Sequence, residues 1–374
     1  MKNQDLYRLT ESWDGFVSAS PIIRQTADYE TRLQEALEIF TNDRGESEHA
    51  WRSRLQEATI AADFPLIFAD VLQRQILAQY QDAPPAMQAV MRVNRGVPSF
   101  DAININKFYG ADGRLQEVPE LGEYTATDMS ELEYTYSIKK WGRTFELSWE
   151  AIIRDNYGVF TGIPAAFGRG ATKTIEWYLT NLFFSATGAR SAYFEGTGGQ
   201  TAISTLPLNE SNLKTAFTEV ISRTNENSEP IMATPVYLWH GPNLSLDVEK
   251  LLNSTINITG ADGTQPNLNV ASRLNLQPLL LRWLPVVVTD GKANTMWGLF
   301  TDAAEIPAGE LGFLSGRNAP EVFMKASNQV SVGGADSSPL NGDYYNDSVA
   351  YKVRLSFGAT TIDARAGWAS HGTG

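Results

Sequence analysis

The sequence contains no cysteine and only three histidines, His49, His240 and His371, among 374 residues. Without cysteine, neither a disulfide bond nor a thiolate metal site can form. No two histidines are four residues apart, the spacing of the ligands on a zinc-binding helix. The sequence therefore predicts no metal site. We interpret His240, which ends a predicted buried strand, as a hydrogen-bonded structural histidine.

The sequence also lacks a long apolar run. Its most apolar stretch, Leu279 to Thr289, is interrupted by Arg282 and Pro285, and the first residues contain no hydrophobic signal region. We therefore expect neither a membrane span nor a secretion signal. Synthesis in the cytoplasm is compatible with the lack of cysteine.

Basic residues are fewer than acidic ones, 30 against 43, and the formal net charge is −13. A chain with this charge repels phosphate groups instead of neutralising them. We therefore do not expect the protein to coat nucleic acid. A protein that encloses DNA without sequence-specific binding remains compatible with this charge.

Motifs for catalysis and cofactor binding are missing as well. Gly291-Lys292 is followed by alanine, which excludes a phosphate-binding loop, and Gly196-Thr-Gly198 is followed by Thr201 where a dinucleotide-binding loop has its third glycine. The sequence thus predicts no catalytic residue and no cofactor. A soluble hydrolase that uses two of the 43 acidic residues remains an alternative.

The length and the remaining composition indicate a globular protein. A chain of 374 residues exceeds the roughly 250 to 300 at which a single core stops growing, so two or three compact units are expected. Hydrophobic residues make up 43% and charged residues 20%, which is ordinary for globular chains.

The most informative stretch is residues 100–187. An outgoing limb, Phe100 to Phe108, and a return limb, Glu133 to Ser148, are rich in aromatic and β-branched residues and predict a long two-stranded arm. A helix from Ile163 to Thr187 follows, and its last turns are apolar nearly all round, which predicts burial between layers. Because an isolated hairpin is only marginally stable, we expect the arm to pack on another copy of the chain.

The predicted tip of this arm is acidic. Between residues 117 and 133 there is no lysine or arginine, and six carboxylates are present: Glu117, Glu120, Glu123, Asp128, Glu131 and Glu133. Such a run is either solvated or faces a partner. Because ordering it would cost much conformational entropy, an ordered tip requires a neighbouring surface, and we expect that surface to be basic. These six residues are our candidate subunit interface.

The remaining elements are predicted from periodicity and capping residues. The predicted helices are a charged helical arm over residues 1–62, Asp63 to Tyr80, Leu213 to Ile221 with Ser211 as its cap, and Pro242 to Asn253, which is followed by a polar loop, Ser254 to Asn269. The predicted strands are a buried strand, Pro235 to His240, and the strands Leu279 to Thr289 and Met296 to Thr301 around an Asp290-Gly291 turn. A C-terminal strand pair, Val349 to Phe357 and Thr360 to Ile362, is interrupted by Gly358.

This order of elements resembles the major capsid proteins of tailed phages that share the HK97 fold. The resemblance is carried by Lys139 to Glu150, which is similar to the return of that family's hairpin into a helix start, and by Tyr351 to Arg365, which is similar to its last strands. The stretch from Asp63 to Tyr80 is more faintly similar to Mu-like head subunits.

The resemblance implies an α+β HK97-like fold. The implied parts are an N-terminal arm (1–62), a peripheral domain with the long spine helix (63–99, 149–205 and 316–374), an extended loop (100–148) that lies over a neighbouring subunit, and an axial α/β domain (206–315). The polar loop Ser254 to Asn269 would then lie near the capsomer axis.

The implied function is a major head protein that self-assembles into pentamers and hexamers of an icosahedral shell around phage DNA. The protein would form part of the virion and assemble in the host cytoplasm, with scaffolding, portal and decoration proteins as further partners and without a membrane. An encapsulin-like nanocompartment, which has the same fold and packages protein, is the alternative.

The sequence differs from some family members in two ways, which concern covalent cross-linking and N-terminal cleavage. Some members join subunits covalently through a lysine of the extended loop, but the tip has none; Lys107, Lys139 and Lys140 lie on or near the limbs, and we expect no cross-link. Some members lose a large N-terminal scaffolding segment, whereas about 60 residues precede the fold here, and we expect this arm to remain uncleaved.

Overall fold

The computed structural model describes residues 76–77, 79–81, 84–109, 117–123, 130–148, 159–225, 228–254, 256–258, 266–269, 271–325, 343–346 and 348–373. Most of the predicted N-terminal part, including His49, lies outside these residues, and so do residues 149–158, which follow the return limb. So does Asp128. Where described, residues 76–81 are helical, as predicted for the end of the helix that begins at Asp63.

The described residues form an α+β fold, which confirms the predicted class. The helices are α1 (Val159–Phe183), α2 (Ser191–Phe194), α3 (Glu210–Ile221), α4 (Ser245–Asn253) and α5 (Leu284–Val287). The strands are β1 (Met91–Val97), β2 (Ile103–Tyr109), β3 (Ser130–Tyr136), β4 (Lys139–Ser148), β5 (Phe184–Ser185), β6 (Gly188–Ala189), β7 (Pro235–His240), β8 (Ile256–Ile258), β9 (Pro266–Leu268), β10 (Gln277–Leu280), β11 (Trp297–Thr301), β12 (Gly309–Leu314), β13 (Glu321–Met324), β14 (Ser348–Thr361) and β15 (Gly367–Ser370).

The larger sheet is built around β14. It has the order β1-β12-β14-β13, and β4 also pairs with β14. Only β1 and β12 are parallel; β4, β12 and β13 all run antiparallel to β14. The pairing of β4 with β14 extends from Ser148 opposite Ser348 to Lys139 opposite Phe357. The arm's return limb therefore finds much of its partner surface within its own chain.

The prediction of one long hairpin over Phe100 to Ser148 was therefore wrong for β4, which pairs with β14 and not with the outgoing limb. β2 pairs only with β3, with Ile103 opposite Tyr136 and Tyr109 opposite Ser130. The chain leaves this hairpin at Ser137 and Ile138 and continues as β4 in the larger sheet. The alternating pattern of the return limb predicted a strand but could not predict its pairing partner, because a strand can pair with a segment that is distant in sequence.

The C-terminal prediction needs a similar correction. β14 is one strand of 14 residues that continues through Gly358, where two strands were predicted. A Cβ at residue 358 would clash with the backbone carbonyl of Ser137. Gly358 is therefore required by the close approach of the chain between β3 and β4, and it does not end the strand.

The second sheet has the order β10-β7-β11-β15. The predicted buried strand Pro235 to His240 is its inner strand β7, which confirms that prediction. The strand predicted from Leu279 to Thr289 was wrong: it is strand only as far as Leu280 and contains α5. Leu281, Leu284 and Val288 are buried, and their spacing follows one helix face. Both β10 and β11 pair with β7, so the two segments belong to the same sheet but do not form a hairpin with each other.

Two helix starts also differ from the predictions. The cap of α3 is Asn209, whose side chain accepts a 2.8 Å hydrogen bond from the backbone N–H of Asn212; Ser211 was predicted. The helix predicted from Pro242 begins as a 3₁₀ turn, Pro242–Leu244, and continues as α4. In the predicted polar loop, β8 and β9 pair with each other.

One hydrophobic core joins both sheets to α1. It contains Leu311 and Phe357 of the larger sheet, Trp239 and Phe300 of the second sheet, and Ile175, Leu179 and Phe183 of α1. The helix, predicted over Ile163 to Thr187, ends at Phe183. Its last turns were predicted to be buried between layers; Leu179 and Phe183 are fully buried, whereas Trp177 is 38% exposed. The boundary between the axial and peripheral domains at residues 315 and 316 stays a prediction. Each of the two sheets contains strands from both sides of this boundary.

Candidate assembly interface

The hairpin β2–β3 is anchored at its base by a small apolar cluster. Val97, Tyr136 and Ile138 are buried there, and Ile103, Ile105 and Leu314 pack against them. Since β1 and β12 contribute Val97 and Leu314, this cluster joins the hairpin to the edge of the larger sheet. The anchor contains only these few side chains and covers one end of the hairpin.

A polar contact fixes the same end. The Tyr136 hydroxyl donates a 3.0 Å hydrogen bond to Glu310 Oε1, and Asn94 Nδ2 donates to the same oxygen at 3.1 Å. Arg92 Nε lies 3.6 Å from the other carboxylate oxygen of Glu310, whose side chain is 2% exposed. Gly312 makes the room for this contact, because a Cβ there would clash with the Tyr136 hydroxyl. Burial and the neighbouring Glu310 carboxylate raise the pKa of Tyr136.

The opposite end of the hairpin is exposed where it is described. Of the six predicted interface residues, Glu117, Glu120, Glu123 and Glu133 are exposed, and none makes an ion pair with another described residue. Glu131 is part of β3, opposite Phe108, and its side chain lies outside the described set. Glu117, Glu120, Glu123 and Glu133 thus have no basic partner within the described part of the chain.

The tip presents the apolar side chain of Leu121 among these carboxylates. Gly122 N donates a 2.8 Å hydrogen bond to Pro119 O, which closes a turn, and Leu121 has a left-handed φ of 64°. This turn places the Leu121 side chain fully in solvent, at 103% relative exposure. Sequence reasoning counted the acidic residues and did not single out Leu121. Its unusual backbone conformation gives no signal in the sequence, since leucine rarely adopts positive φ.

A pocket of about 460 Å³ lies between β4, β14 and the exposed part of α1. We call it the tryptophan pocket; it is lined by Trp141, Gly142, Arg143, Phe167, Gly170, Ala171, Lys173, Thr174, Trp177, Trp283, Val353 and Leu355. Trp141 is stacked on Phe357 with ring centroids 5.5 Å apart, and its edge contacts Tyr178 and Trp177. Sequence reasoning missed this pocket because its three tryptophans come from distant segments.

Both charged side chains that line the tryptophan pocket are positive. Trp141 Nε1 is a buried donor with no acceptor among the described residues. Arg143 and Lys173 are exposed, and the lining contains no carboxylate. Buried indole N–H groups usually find an acceptor. The pocket therefore combines an apolar floor with two exposed positive charges, Arg143 and Lys173.

Two of the three histidines, His240 and His371, lie within the described residues. His240 is buried, its Nδ1 lies 2.9 Å from Gly241 O, and burial lowers its pKa, as expected of a structural histidine. Burial, with a smaller effect of Lys292, also lowers the pKa of His371. Within the described residues, no group of three or more His, Asp and Glu residues is arranged to hold a metal ion. None of the described helices is long and apolar enough to cross a membrane.

Comparison with known proteins identifies the family. Residues 132–370 match the family model described as "Phage capsid protein", and this match covers more than half of the 374-residue chain. The chain belongs to this phage capsid protein family. The matched range includes both stretches, 139–150 and 351–365, that carried the resemblance in the sequence. Family membership makes the chain a structural protein of the virion, and not an enzyme.

Solved phage capsid structures are similar to this chain at low sequence identity. The capsid of Ralstonia phage GP4 has a TM-score of 0.49 at 8% identity, covering 75% of this chain and 87% of that chain. A chain from Microbacterium phage Oxtober96 has a TM-score of 0.46 at 11% identity, with 77% and 90% covered. The capsid of Myoviridae phage XM1 has a TM-score of 0.44 at 10% identity, with 76% and 90% covered. The search of curated proteins found no match. The closer likeness to Mu-like head subunits stays a prediction.

Proposed function

We propose that this capsid protein self-assembles into pentamers and hexamers that form an icosahedral shell around phage DNA. The observation that carries the proposal is the hairpin β2–β3, whose contacts with the rest of its own subunit lie, among the described residues, at the Tyr136 end. Its acidic tip and the fully exposed Leu121 have no cover within the described residues. In this proposal a neighbouring subunit supplies that cover, and the subunits of a ring each cover the next one.

The charge of the chain supports the proposed contents of the shell. With a net charge of −13, the protein repels DNA, so the shell encloses the genome without neutralising it or reading its sequence. Portal, scaffolding and decoration proteins are the further partners that we propose for such a shell, with assembly in the host cytoplasm.

Electron microscopy of the purified protein tests this function. We expect closed shells built of pentamers and hexamers. A small monodisperse species under all assembly conditions would contradict the proposal. The contents of shells isolated from the natural source separate a phage head from an encapsulin-like compartment, because the first contains DNA and the second contains protein.

A further inference from the structure

We propose that the tryptophan pocket binds an unpaired nucleotide, with the base against the tryptophan rings and the phosphate beside Arg143 and Lys173. The nucleotide is either free or part of a single strand of DNA. This inference rests on the proposed function in one respect, because a shell that encloses DNA meets nucleotides. It adds a local contact that the net charge of the chain does not predict.

The pocket is a recess in one face of α1. Phe167, Gly170, Ala171, Thr174 and Trp177 line it, and their spacing of three or four residues places them on one side of the helix. The middle three are small, so the helix surface is low between the two aromatic side chains. Trp177 follows Phe167 by ten residues, which is about 15 Å along the helix. The volume of about 460 Å³ is typical of a small-molecule site.

The larger sheet forms the opposite wall. Trp141 and Arg143 alternate along β4 and therefore project on the same side of the sheet, opposite two apolar residues of β14. The ring of Trp141 meets that of Trp177 edge-on, with centroids 6.2 Å apart, and Trp283 completes the aromatic lining. Tryptophans from three segments thus surround the recess. Such rings favour a flat aromatic ligand, because every base has a face that stacks on them.

The charges of the pocket favour an anion. Arg143 and Lys173 are exposed, neither makes an ion pair with another described residue, and no carboxylate lines the pocket. The chain as a whole has 43 acidic and 30 basic residues, so this local excess of positive charge is against its average. Guanidinium and ammonium groups bind phosphate. The pocket therefore fits a ligand that is aromatic at one end and anionic at the other.

Double-helical DNA does not offer this ligand. A base in a duplex is stacked between its neighbours, and a protein pocket receives it only after it is unpaired or flipped out. The site therefore takes a free nucleotide or a nucleotide of an unpaired strand. A shell with this site still encloses duplex DNA without coating it.

Calorimetric titration of unassembled subunits with deoxyadenosine monophosphate (dAMP) tests the site. We expect saturable binding with one site per subunit. A single-stranded oligodeoxyadenylate should bind as well, and the same strand in a duplex should bind about tenfold more weakly or less. A single strand that binds about tenfold more tightly than dAMP identifies DNA as the source, and equal affinities identify free nucleotides. Lack of saturable binding by both would overturn the proposal, and so would tighter binding of decyl phosphate, an aliphatic anion.

Two substitutions in α1 test the recess itself. A Cβ at residue 170 meets no atom within 4 Å, so Gly170→Leu should fold and fill the recess, whereas the matched control Gly170→Ala leaves most of it open. We expect the affinity for dAMP to fall about tenfold or more in Gly170→Leu relative to Gly170→Ala. Trp177→Leu should lower it about fivefold or more, and Trp177→Phe, which keeps a flat ring, should restore most of the loss. Equal affinity of Gly170→Leu and Gly170→Ala would contradict the site.

A third substitution tests the phosphate contact. Lys173→Gln removes one cation of the pocket, so dAMP should bind more weakly and its affinity should depend less on salt concentration. The control Lys214→Gln removes an exposed lysine of α3 that does not line the pocket, and it should change neither quantity. The same salt dependence in wild type and Lys173→Gln would count against the contact.

Photolabelling with an azido derivative of dAMP locates the ligand directly. The label should appear in the peptides that contain Trp141 or residues 167–177, and labelling confined to other peptides would overturn the assignment. The outcomes also separate this inference from the proposed function. DNA-filled particles whose subunits bind no nucleotide overturn the site and leave the proposed function standing. Subunits that bind dAMP but never form particles refute the proposed function and leave the site standing.

Discussion

The Tyr136 hydroxyl and the Glu310 carboxylate, 174 residues apart in sequence, are joined by a 3.0 Å hydrogen bond that connects the hairpin to the larger sheet. Among the described residues, a small apolar cluster around them holds the base of β2 and β3. The direction in which the hairpin leaves the subunit therefore depends strongly on this contact. Asn94 and Arg92 hold Glu310 from the neighbouring strand β1.

Tyr136→Phe should loosen this anchor. The substitution removes one hydrogen bond to a buried charged group, so we expect the free energy of unfolding to fall by about 1.5 to 3 kcal/mol. Urea unfolding of unassembled subunits measures the loss, and faster amide exchange in β2 and β3 locates it. Tyr345→Phe is the control, since Tyr345 is 85% exposed. An unchanged midpoint for Tyr136→Phe would show that the contact does not stabilise the fold.

Glu176 should make stability depend on pH. Its side chain is buried in α1 and accepts a 3.2 Å hydrogen bond from Met87 N, and burial raises its pKa from 4.5 to about 7. Between these two values the folded protein keeps a proton that the unfolded chain has lost. Stability should therefore fall as pH rises from about 4.5 to about 7, by roughly 3 kcal/mol, and then stay level. The positive charge of Arg282 partly offsets this rise in the pKa of Glu176.

Urea midpoints between pH 4.5 and 8 measure this dependence. Glu176→Gln can still accept the hydrogen bond from Met87 and does not titrate. Its free energy of unfolding should therefore lack the decrease between pH 4.5 and 7 that Glu176 causes, and it should be the more stable protein above pH 7. Glu146→Gln changes an exposed carboxyl and should keep the wild-type profile. Parallel profiles for wild type and Glu176→Gln would contradict the assignment.

Arg223 should be needed to fix the chain before β15. Its Nη1 donates to the backbone carbonyls of Ala364, Arg365 and Gly367 at 3.3, 2.6 and 2.9 Å, and the residue is 8% exposed. Arg223→Met leaves these carbonyls without that donor, and we expect a loss of about 3 kcal/mol or more. Thermal unfolding measures it, with the exposed Arg273→Met as control. Equal losses from both substitutions would contradict this role.

Reversing the charge of the tip should impair assembly and spare the fold. In the variant Glu117→Lys, Glu120→Lys and Glu123→Lys, all three changed side chains are exposed, so the unfolding midpoint should change little. Particle yield should fall, and more so at low salt, because exposed charges interact less as ionic strength rises. The control Glu146→Lys, Asp247→Lys and Glu249→Lys carries the same charge change at exposed positions of β4 and α4. Unaffected yield of the tip variant would count against an acidic docking segment.

The shells should contain no covalent bonds between subunits. The tip has no lysine, and the nearest lysines in sequence, Lys107, Lys139 and Lys140, belong to β2 and β4. A denaturing gel of boiled particles should therefore show a single band near 41.2 kDa. A ladder of larger bands would refute this expectation, and a shortened band would refute the expectation of an uncleaved N-terminal arm.

The sequence by itself determined those elements whose signal is local. Alternation and β-branched residues located β7 and both limbs of the arm, apolar spacing located α1, and the absence of basic residues over 117–133 marked the tip. These features depend on neighbours within one strand or one to four helical turns, so the pattern can be read without knowing the fold. The absence of cysteine likewise excluded whole classes of site.

Only the tertiary structure decided which segments meet. β4 pairs with β14, some two hundred residues later, because that pairing buries Phe145, Trp141 and their cross-strand neighbours against α1. The tryptophan pocket exists because this pairing brings Trp141 beside Trp177 and Trp283. Strand periodicity specifies the face that a residue occupies, whereas the choice of partner is set by burial of the whole core, to which distant segments contribute together.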